Sequence, residues 1–147
     1  MVLLDVSDVL IRRAEEVELR QLPNQTNRLA LIFDPFSFNV PLTFGMEIFE
    51  AGHKTPPHVH SEAHEVFVVL SGEGSVFCDS LRETIHPGDV VVLPPNSLHG
   101  VDNDSDDRLY CLQMMFPNQG FAELVLSGTP VGSLTEEDRR TLNCIEF

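Results

Sequence analysis

A histidine-rich stretch, residues 52–72, constrains the fold of this chain more than any other part of its sequence. It reads GHKTPPHVHSEAHE followed by the apolar run VFVVLSG, so that four possible metal ligands lie close together at the start of a strand-like run. His58 and His60 are two residues apart, and on an extended strand their imidazoles point to the same face. Imidazoles that converge on one side can bind a borderline divalent ion. The stretch therefore predicts a strand-borne metal site beside an apolar core.

A second segment, residues 88–103, adds a further histidine in a similar setting. It reads GDVVVLPPNSLHGVDN, in which an apolar run, a Pro-Pro turn and His99 follow one another. A lone His-x-His pair is weak evidence, because surface histidines are common. Two ordered segments together are a stronger indication of a metal site than either alone.

These two segments resemble the two signature motifs of the cupin superfamily. The first motif, G-x5-H-x-H-x4-E-x6-G, matches residues 52–72 at every fixed position. The second, G-x5-P-x-G-x2-H-x3-N, matches residues 88–103 except that Asn96 replaces the internal glycine. The replacement is mild, because Asn tolerates the left-handed backbone conformation that a glycine adopts in such turns. The resemblance implies a small single-domain cupin of the cupin 2 type.

For the fold, the resemblance implies an all-β antiparallel jelly-roll barrel with short C-terminal helices. The residues agree with this, because residues 43–49 alternate with the period of two that is typical of a strand. Further strand-like runs, separated by Gly, Pro, Asn and Asp turns, lie at residues 28–33, 66–70, 75–79, 82–85, 89–93, 98–101 and 108–116. Many short strands at this spacing are typical of a sandwich or barrel.

We expect residues 1–147 to form one cupin domain with a barrel core over about 43–116. The N-terminal extension, 1–42, leaves two alternatives open: a helix within residues 5–20, or a short strand at 16–20 that pairs with a neighbouring subunit. The C-terminal tail, 117–147, has helical spacing at 120–126 and a capped helix start at Thr135.

The resemblance implies that the metal ligands are His58, His60, Glu65 and His99. On a continuous strand, residues an even number of positions apart share a face, so His64 would point the same way as His60 and could be the fourth ligand instead. The spacing from Glu65 to the glycine that closes the motif favours Glu65. Three imidazoles and a carboxylate would leave a divalent site with a net charge of about +1, and four imidazoles about +2. This ligand chemistry admits one divalent transition metal ion: Mn, Fe, Ni, Co, Cu or Zn.

The pocket beside the metal is expected to be mostly apolar. If Glu65 points inward, Phe67 and Val69 on the same strand do too. Candidates from other strands are Phe44, Met46, Ile48, Phe77, Gln113 and Met115, with Tyr110 in place of Gln113 if that strand faces the other way. Since Arg82 and Arg108 lie at strand ends, no Arg pair that would clamp a phosphate is evident. A small, weakly charged organic substrate fits this pocket best.

Charge and cysteine content limit the expected binding partners and the expected cellular location. Nine basic residues face 23 acidic ones, a formal net charge of −14, which makes nucleic acids and anionic membranes improbable partners. The three cysteines show no disulfide pattern, and the N-terminus lacks the basic region of a signal peptide. We expect a cytoplasmic protein. We also expect a homodimer, because exposed Phe36 and Phe38 and the open strand edges need a covering surface.

Two classes of function agree with these features. The first is a metal-dependent enzyme on a small organic molecule, either a dioxygenase or a Lewis-acid lyase, decarboxylase or isomerase. The second is a non-catalytic cupin that binds metal or a small ligand in a regulatory role. The complete set of ligand positions favours the enzyme, although the sequence identifies no catalytic residue.

Overall fold

The computed structural model describes residues 9–143, which form two antiparallel sheets and a few short helices. A 3-10 helix, Ala14–Glu16, precedes the first strand. The strands are β1 Glu18–Gln21, β2 Arg28–Phe33, β3 Thr43–Phe49, β4 His64–Ser71, β5 Gly74–Cys78, β6 Leu81–Ile85, β7 Val90–Leu93, β8 His99–Asp102, β9 Leu109–Phe116 and β10 Thr129–Ser133. The helices are α1 Phe121–Leu126 and α2 Glu136–Asn143.

The sheets have seven and three strands, in the orders β10-β1-β2-β3-β9-β4-β7 and β6-β5-β8. Neighbours in both sheets run antiparallel. The predicted all-β jelly roll with short C-terminal helices is therefore confirmed. Apolar side chains from both sheets meet between them in one core: Phe49, Phe67, Val69, Val76, Ile85, Leu93, Val101, Leu109 and Cys111.

A second core covers part of the outer face of the large sheet. Met46 and Ile48 on β3 pack there against Val17, Leu19, Ala30, Tyr110 and Leu134. Consequently β3 is buried on both faces, and its even-numbered residues point away from the space between the sheets. The prediction that Met46 and Ile48 face a central pocket is wrong for this physical reason.

The N-terminal extension forms a strand within the described residues. β1 pairs with β2 and with β10 of the same chain, whereas the sequence favoured either a helix or pairing with another subunit. Residues 5–8 of the predicted helix lie outside the described range. β10 lies between the two predicted helical segments of the C-terminal tail and pairs with β1.

Two predicted local features are present at the turns and caps. Asn96 has a φ of 64°, the left-handed conformation that a glycine would adopt there. Thr135 begins α2 with a reciprocal cap, in which its hydroxyl accepts from the Asp138 amide at 3.1 Å and its own amide donates to the Asp138 carboxylate at 2.9 Å.

Between residues 9 and 143, no helix is long and apolar enough to cross a membrane.

Candidate metal site and cavity

The two histidine segments are joined by backbone hydrogen bonds. The His58 amide donates to the His99 carbonyl at 3.1 Å, and the His99 amide donates back to the His58 carbonyl at 3.0 Å. Two residues beyond His58, the His60 carbonyl accepts from the Asn96 amide at 2.7 Å. Segments 39 residues apart in sequence, at His60 and His99, are thus held as neighbouring extended chains, and this pairing brings their imidazoles together.

The side chains of His58, His60, Glu65 and His99 converge on one point, and we call them the His/Glu cluster. One possible ligand atom from each lies within 4.8 Å of all the others. The carboxylate oxygen Oε2 of Glu65 lies 3.0 Å from Nε2 of His99, 3.3 Å from Nε2 of His60 and 3.6 Å from Nε2 of His58. This geometry is a possible three-histidine, one-carboxylate metal site.

His64 lies outside this cluster. It is exposed at the start of β4, whereas Glu65 is buried with 3% of its surface accessible. The loop at residues 61–63 separates His60 from β4, so the strand parity that favoured His64 does not continue across it. Gln119 holds the loop, because its Oε1 accepts from the Glu62 amide at 2.9 Å and the Ala63 amide at 2.7 Å.

Hydrogen bonds at the far side of two imidazoles orient them toward Glu65. Nδ1 of His58 lies 2.8 Å from the Pro56 carbonyl, and Nδ1 of His99 lies 3.0 Å from the Ser97 carbonyl. A carbonyl can only accept, so each Nδ1 carries a proton. Each Nε2 then donates to Glu65 when the ring is protonated and presents a lone pair when the ring is neutral. Neutral imidazoles would therefore place lone pairs against the Glu65 oxygen.

The anionic form of Glu65 depends on its neighbours. Burial alone would raise the pKa of Glu65, but hydrogen bonds with His58, His60, His99 and Gln113 hold it well below its usual range. Gln113 donates to the other oxygen, Oε1, at 3.0 Å and leaves Oε2 to the imidazoles. A carboxylate oxygen surrounded by imidazole lone pairs needs a cation or extra protons between them. A divalent metal fits this donor set.

The His/Glu cluster forms part of the wall of a cavity of about 250 Å³. Phe67 lines the cavity, as predicted from its place two residues after Glu65. Apolar residues that precede β2 or belong to α1 add to the lining: Leu22, Phe121 and Leu124. Most of the wall is apolar, in agreement with the sequence-based expectation.

The other predicted pocket residues do not line this cavity. Val69 and Met115 are buried in packed regions, and Gln113 contacts the cavity only through its bond to Glu65. Phe77 lies on the other side of β5, where it lines a surface depression with Arg82 and Lys54. The prediction for Phe77 is wrong, because its neighbours on β5, Val76 and Cys78, are the ones that pack in the core between the sheets.

The sequence analysis missed Glu47. It is buried on β3, with 5% of its surface accessible, and it lines the cavity. Burial raises the pKa of Glu47 to about 8, and the negative charge of Glu65 adds to the effect. The signal in the sequence was a carboxylate in the middle of an otherwise apolar strand. Burying such a group costs free energy unless a partner compensates it.

Comparison with known proteins identifies the domain. The family model described as "Cupin domain" matches residues 45–115. An uncharacterized protein, MJ1618 of Methanocaldococcus jannaschii, is 29% identical over 70 residues, which are 48% of this chain and 56% of that protein. Gentisate 1,2 dioxygenase 1 of Aquipseudomonas alcaligenes is 37% identical over 62 residues, 42% of this chain and 18% of that protein. The chain thus spans less than two thirds of either relative.

Among solved structures, a predicted oxalate decarboxylase from Thermotoga maritima superimposes with a TM-score of 0.67. The superposition covers 72% of this chain and 97% of that one, at 19% identity. This likeness concerns the fold.

Proposed function

We propose, since this chain is a small cupin-domain protein, that it is a metal-dependent enzyme acting on a small organic molecule. The observation that carries the proposal is the position of the His/Glu cluster in the wall of an apolar cavity. A purely structural metal site is enclosed by its protein ligands, whereas a ligand that enters this cavity would meet the cluster directly.

We propose His58, His60, Glu65 and His99 as the ligands of one divalent transition metal ion. Such an ion would supply Lewis-acid or redox chemistry toward oxygen atoms of the substrate. The chain's own contribution is to orient the ligands: the Pro56 and Ser97 carbonyls fix two imidazoles, and Gln113 fixes Glu65. The native ion is one of Mn, Fe, Ni, Co, Cu or Zn.

The cavity favours a weakly charged substrate. Arg82 forms an ion pair with Asp102 at 2.7 Å, and Arg108 forms one with Glu50 at 2.9 Å. Neither arginine lines the cavity. Within the described chain, a phosphorylated substrate would therefore lack a guanidinium partner there. An apolar wall suits an aromatic or short aliphatic acid.

Oxygenation of a hydroxylated aromatic acid is our favoured reaction class. The support is the local likeness to a gentisate dioxygenase over 62 residues. The test is oxygen uptake by protein reconstituted separately with each candidate metal, against gentisate, other phenolic acids, diketones and oxalate. We expect turnover with at least one metal, and none with a His99→Ala variant. Stoichiometric metal binding without turnover on any of these compounds would instead support the non-catalytic, ligand-binding alternative.

We also propose that the protein is a homodimer. The outer face of the large sheet is apolar beyond the second core, where Val92 and Phe116 have 60% and 50% of their surface exposed. The loop residue Phe36 is also exposed at 64%, although Phe38 is partly buried. Such a face needs a covering surface. Sedimentation at micromolar concentration is expected to give twice the chain mass, with Val92→Lys shifting it toward the monomer. A monomeric wild type would contradict this proposal.

A further inference from the structure

Glu47 lies on the cavity wall but outside the His/Glu cluster. Among the described residues that line the cavity, it is the one ionisable side chain that does not belong to the cluster. β3 places it there because positions 47 and 49 point between the sheets, where Phe49 joins the core. The mostly apolar cavity therefore has two ionisable features, the cluster and Glu47, beside the neutral polar side chains of Gln25 and Thr55.

The neighbours of Glu47 hold its position without neutralising it. Nδ2 of Asn27 donates to Oε1 of Glu47 at 3.1 Å, and the same nitrogen lies 3.5 Å from the Thr55 hydroxyl. Asn27 is fully buried, and its Oδ1 has no hydrogen-bond partner within residues 9–143. In the same residues no Lys, Arg or His forms an ion pair with Glu47. One carboxyl oxygen is thus bound by an amide, and the other stays free for a hydrogen bond.

A buried carboxyl group with an unpaired oxygen costs folding free energy, so such a group is usually retained only where a hydrogen-bond partner or an ion compensates it. Leu22 and Leu29 on the wall offer it no hydrogen bond, and among the described residues Asn27 is its one hydrogen-bond partner, although Gln25 and Thr55 also line the cavity. A polar ligand atom in the cavity would satisfy it. A carboxyl group, ionised or neutral, can always form one such bond.

We propose that Glu47, held by Asn27, is a second anchor for the substrate, which binds a polar group other than the atoms that meet the metal. The inference rests on the proposed function, because it takes the His/Glu cluster as the first anchor. It narrows the substrate to a small molecule with an apolar body, a metal-binding oxygen and a separate hydrogen-bonding group, such as a hydroxyl.

Two commercial probes separate the two anchors. Salicylate and gentisate carry the same metal-chelating pair, a carboxylate and an ortho hydroxyl, and gentisate adds one distal hydroxyl. Calorimetric titration of the Co(II)-loaded protein with both probes gives the ratio of their affinities. We expect gentisate to bind the wild type about tenfold more tightly than salicylate, the effect of one buried hydrogen bond.

Variants then assign the difference to Glu47. In Glu47→Ala the ratio is expected to fall to about one, whereas Glu47→Gln, which keeps a hydrogen-bonding group of the same shape, retains part of it. Glu83→Ala, an exposed carboxylate on β6, is the matched control and should leave the ratio unchanged. Salicylate affinity and Co(II) stoichiometry should stay constant throughout, which also shows that each variant is folded.

Three results would overturn the inference: an affinity ratio near one in the wild type, an undiminished ratio in Glu47→Ala, or no binding of either probe to the Co(II)-loaded protein. Failure of the wild type to bind Co(II) would instead reject the proposed function itself, and with it the first anchor. The metal titration, performed before the probe titration, keeps these two failures apart.

Discussion

Two buried carboxyl groups share one cavity in this protein and have opposite environments. Glu65 on β4 is surrounded by three imidazoles and a Gln113 amide, and its pKa lies well below the usual range. Glu47 on β3 has one amide donor, from Asn27, and its pKa is raised to about 8. Both side chains are almost inaccessible to solvent, at 3% and 5%.

The difference shows that burial does not decide the charge of a carboxyl group by itself. Desolvation disfavours the anion at both positions, but only Glu65 has enough donors to reverse the effect. Glu65 is therefore suited to bind a cation, whereas the raised pKa of Glu47 favours its neutral form in the metal-free protein and suits it to a hydrogen bond. The two carboxyl groups of the cavity thus offer a substrate two different kinds of contact.

The largest expected effect comes from removing an imidazole beside Glu65. His99 is buried and lies closest to the carboxylate, so His99→Ala takes away one ligand and leaves Glu65 with fewer donors. We expect metal affinity to fall by about 100-fold or more, since loss of an outer partner alone costs about 10–100-fold. Competition with a chromophoric chelator measures the change. Retention of wild-type affinity would exclude His99 as a ligand.

A smaller effect is expected from Gln113→Leu. This variant leaves Oε1 of Glu65 buried without its donor and lets the carboxylate rotate away from the imidazoles. Metal affinity should fall by about 10–100-fold, with the stoichiometry kept at one ion per chain. The matched control is Gln21→Leu on β1, whose amide bonds to the Gln25 carbonyl. Equal affinities in the two variants would show that Gln113 does not support the site.

The third effect is on stability and concerns Glu47 in the metal-free protein. Its folded pKa of about 8 exceeds the ordinary value of 4.5, so the folded state binds this proton more tightly than the unfolded state does. The resulting stability is present below pH 4.5 and is lost as the pH rises through 8. Relative to Glu47→Gln, the wild type should lose on the order of 3 kcal/mol in unfolding free energy between pH 5 and pH 9. Urea unfolding with a chelator present measures it, and parallel pH profiles of the two proteins would contradict it.

The sequence predicted much of this arrangement where local spacing carries the information. The jelly roll and the segments containing His58 and His99 followed from motif spacing and turn residues. The spacing also favoured Glu65 over His64, and the structure places Glu65 in the cluster. The alternation of side-chain direction, which favoured His64, does not continue from His60 to β4 because residues 61–63 form a loop and not a strand.

The second anchor, Glu47, could not be predicted from the sequence. The alternation of apolar and polar residues shows which face of a strand points to the core only when the other face is exposed. β3 is covered on its outer face by Val17 and Leu134, which come from segments far away in the sequence. Met46 and Glu47 are consequently both buried, on opposite faces of β3. The sequence analysis placed the apolar Met46 in the pocket, whereas Glu47 lines it. Only the tertiary contacts show which face carries the carboxyl group.

The most direct test of the central claim compares Glu65→Gln with His64→Ala. If three histidines and Glu65 bind one divalent ion, Glu65→Gln replaces the anionic ligand with a neutral amide and should lower metal affinity by about 100-fold or more. His64→Ala should leave both affinity and stoichiometry within about twofold of the wild type, since removing an exposed side chain disturbs little. Metal content after reconstitution and dialysis measures both. Loss of the metal from His64→Ala, with retention in Glu65→Gln, would contradict the account and assign the site to four histidines.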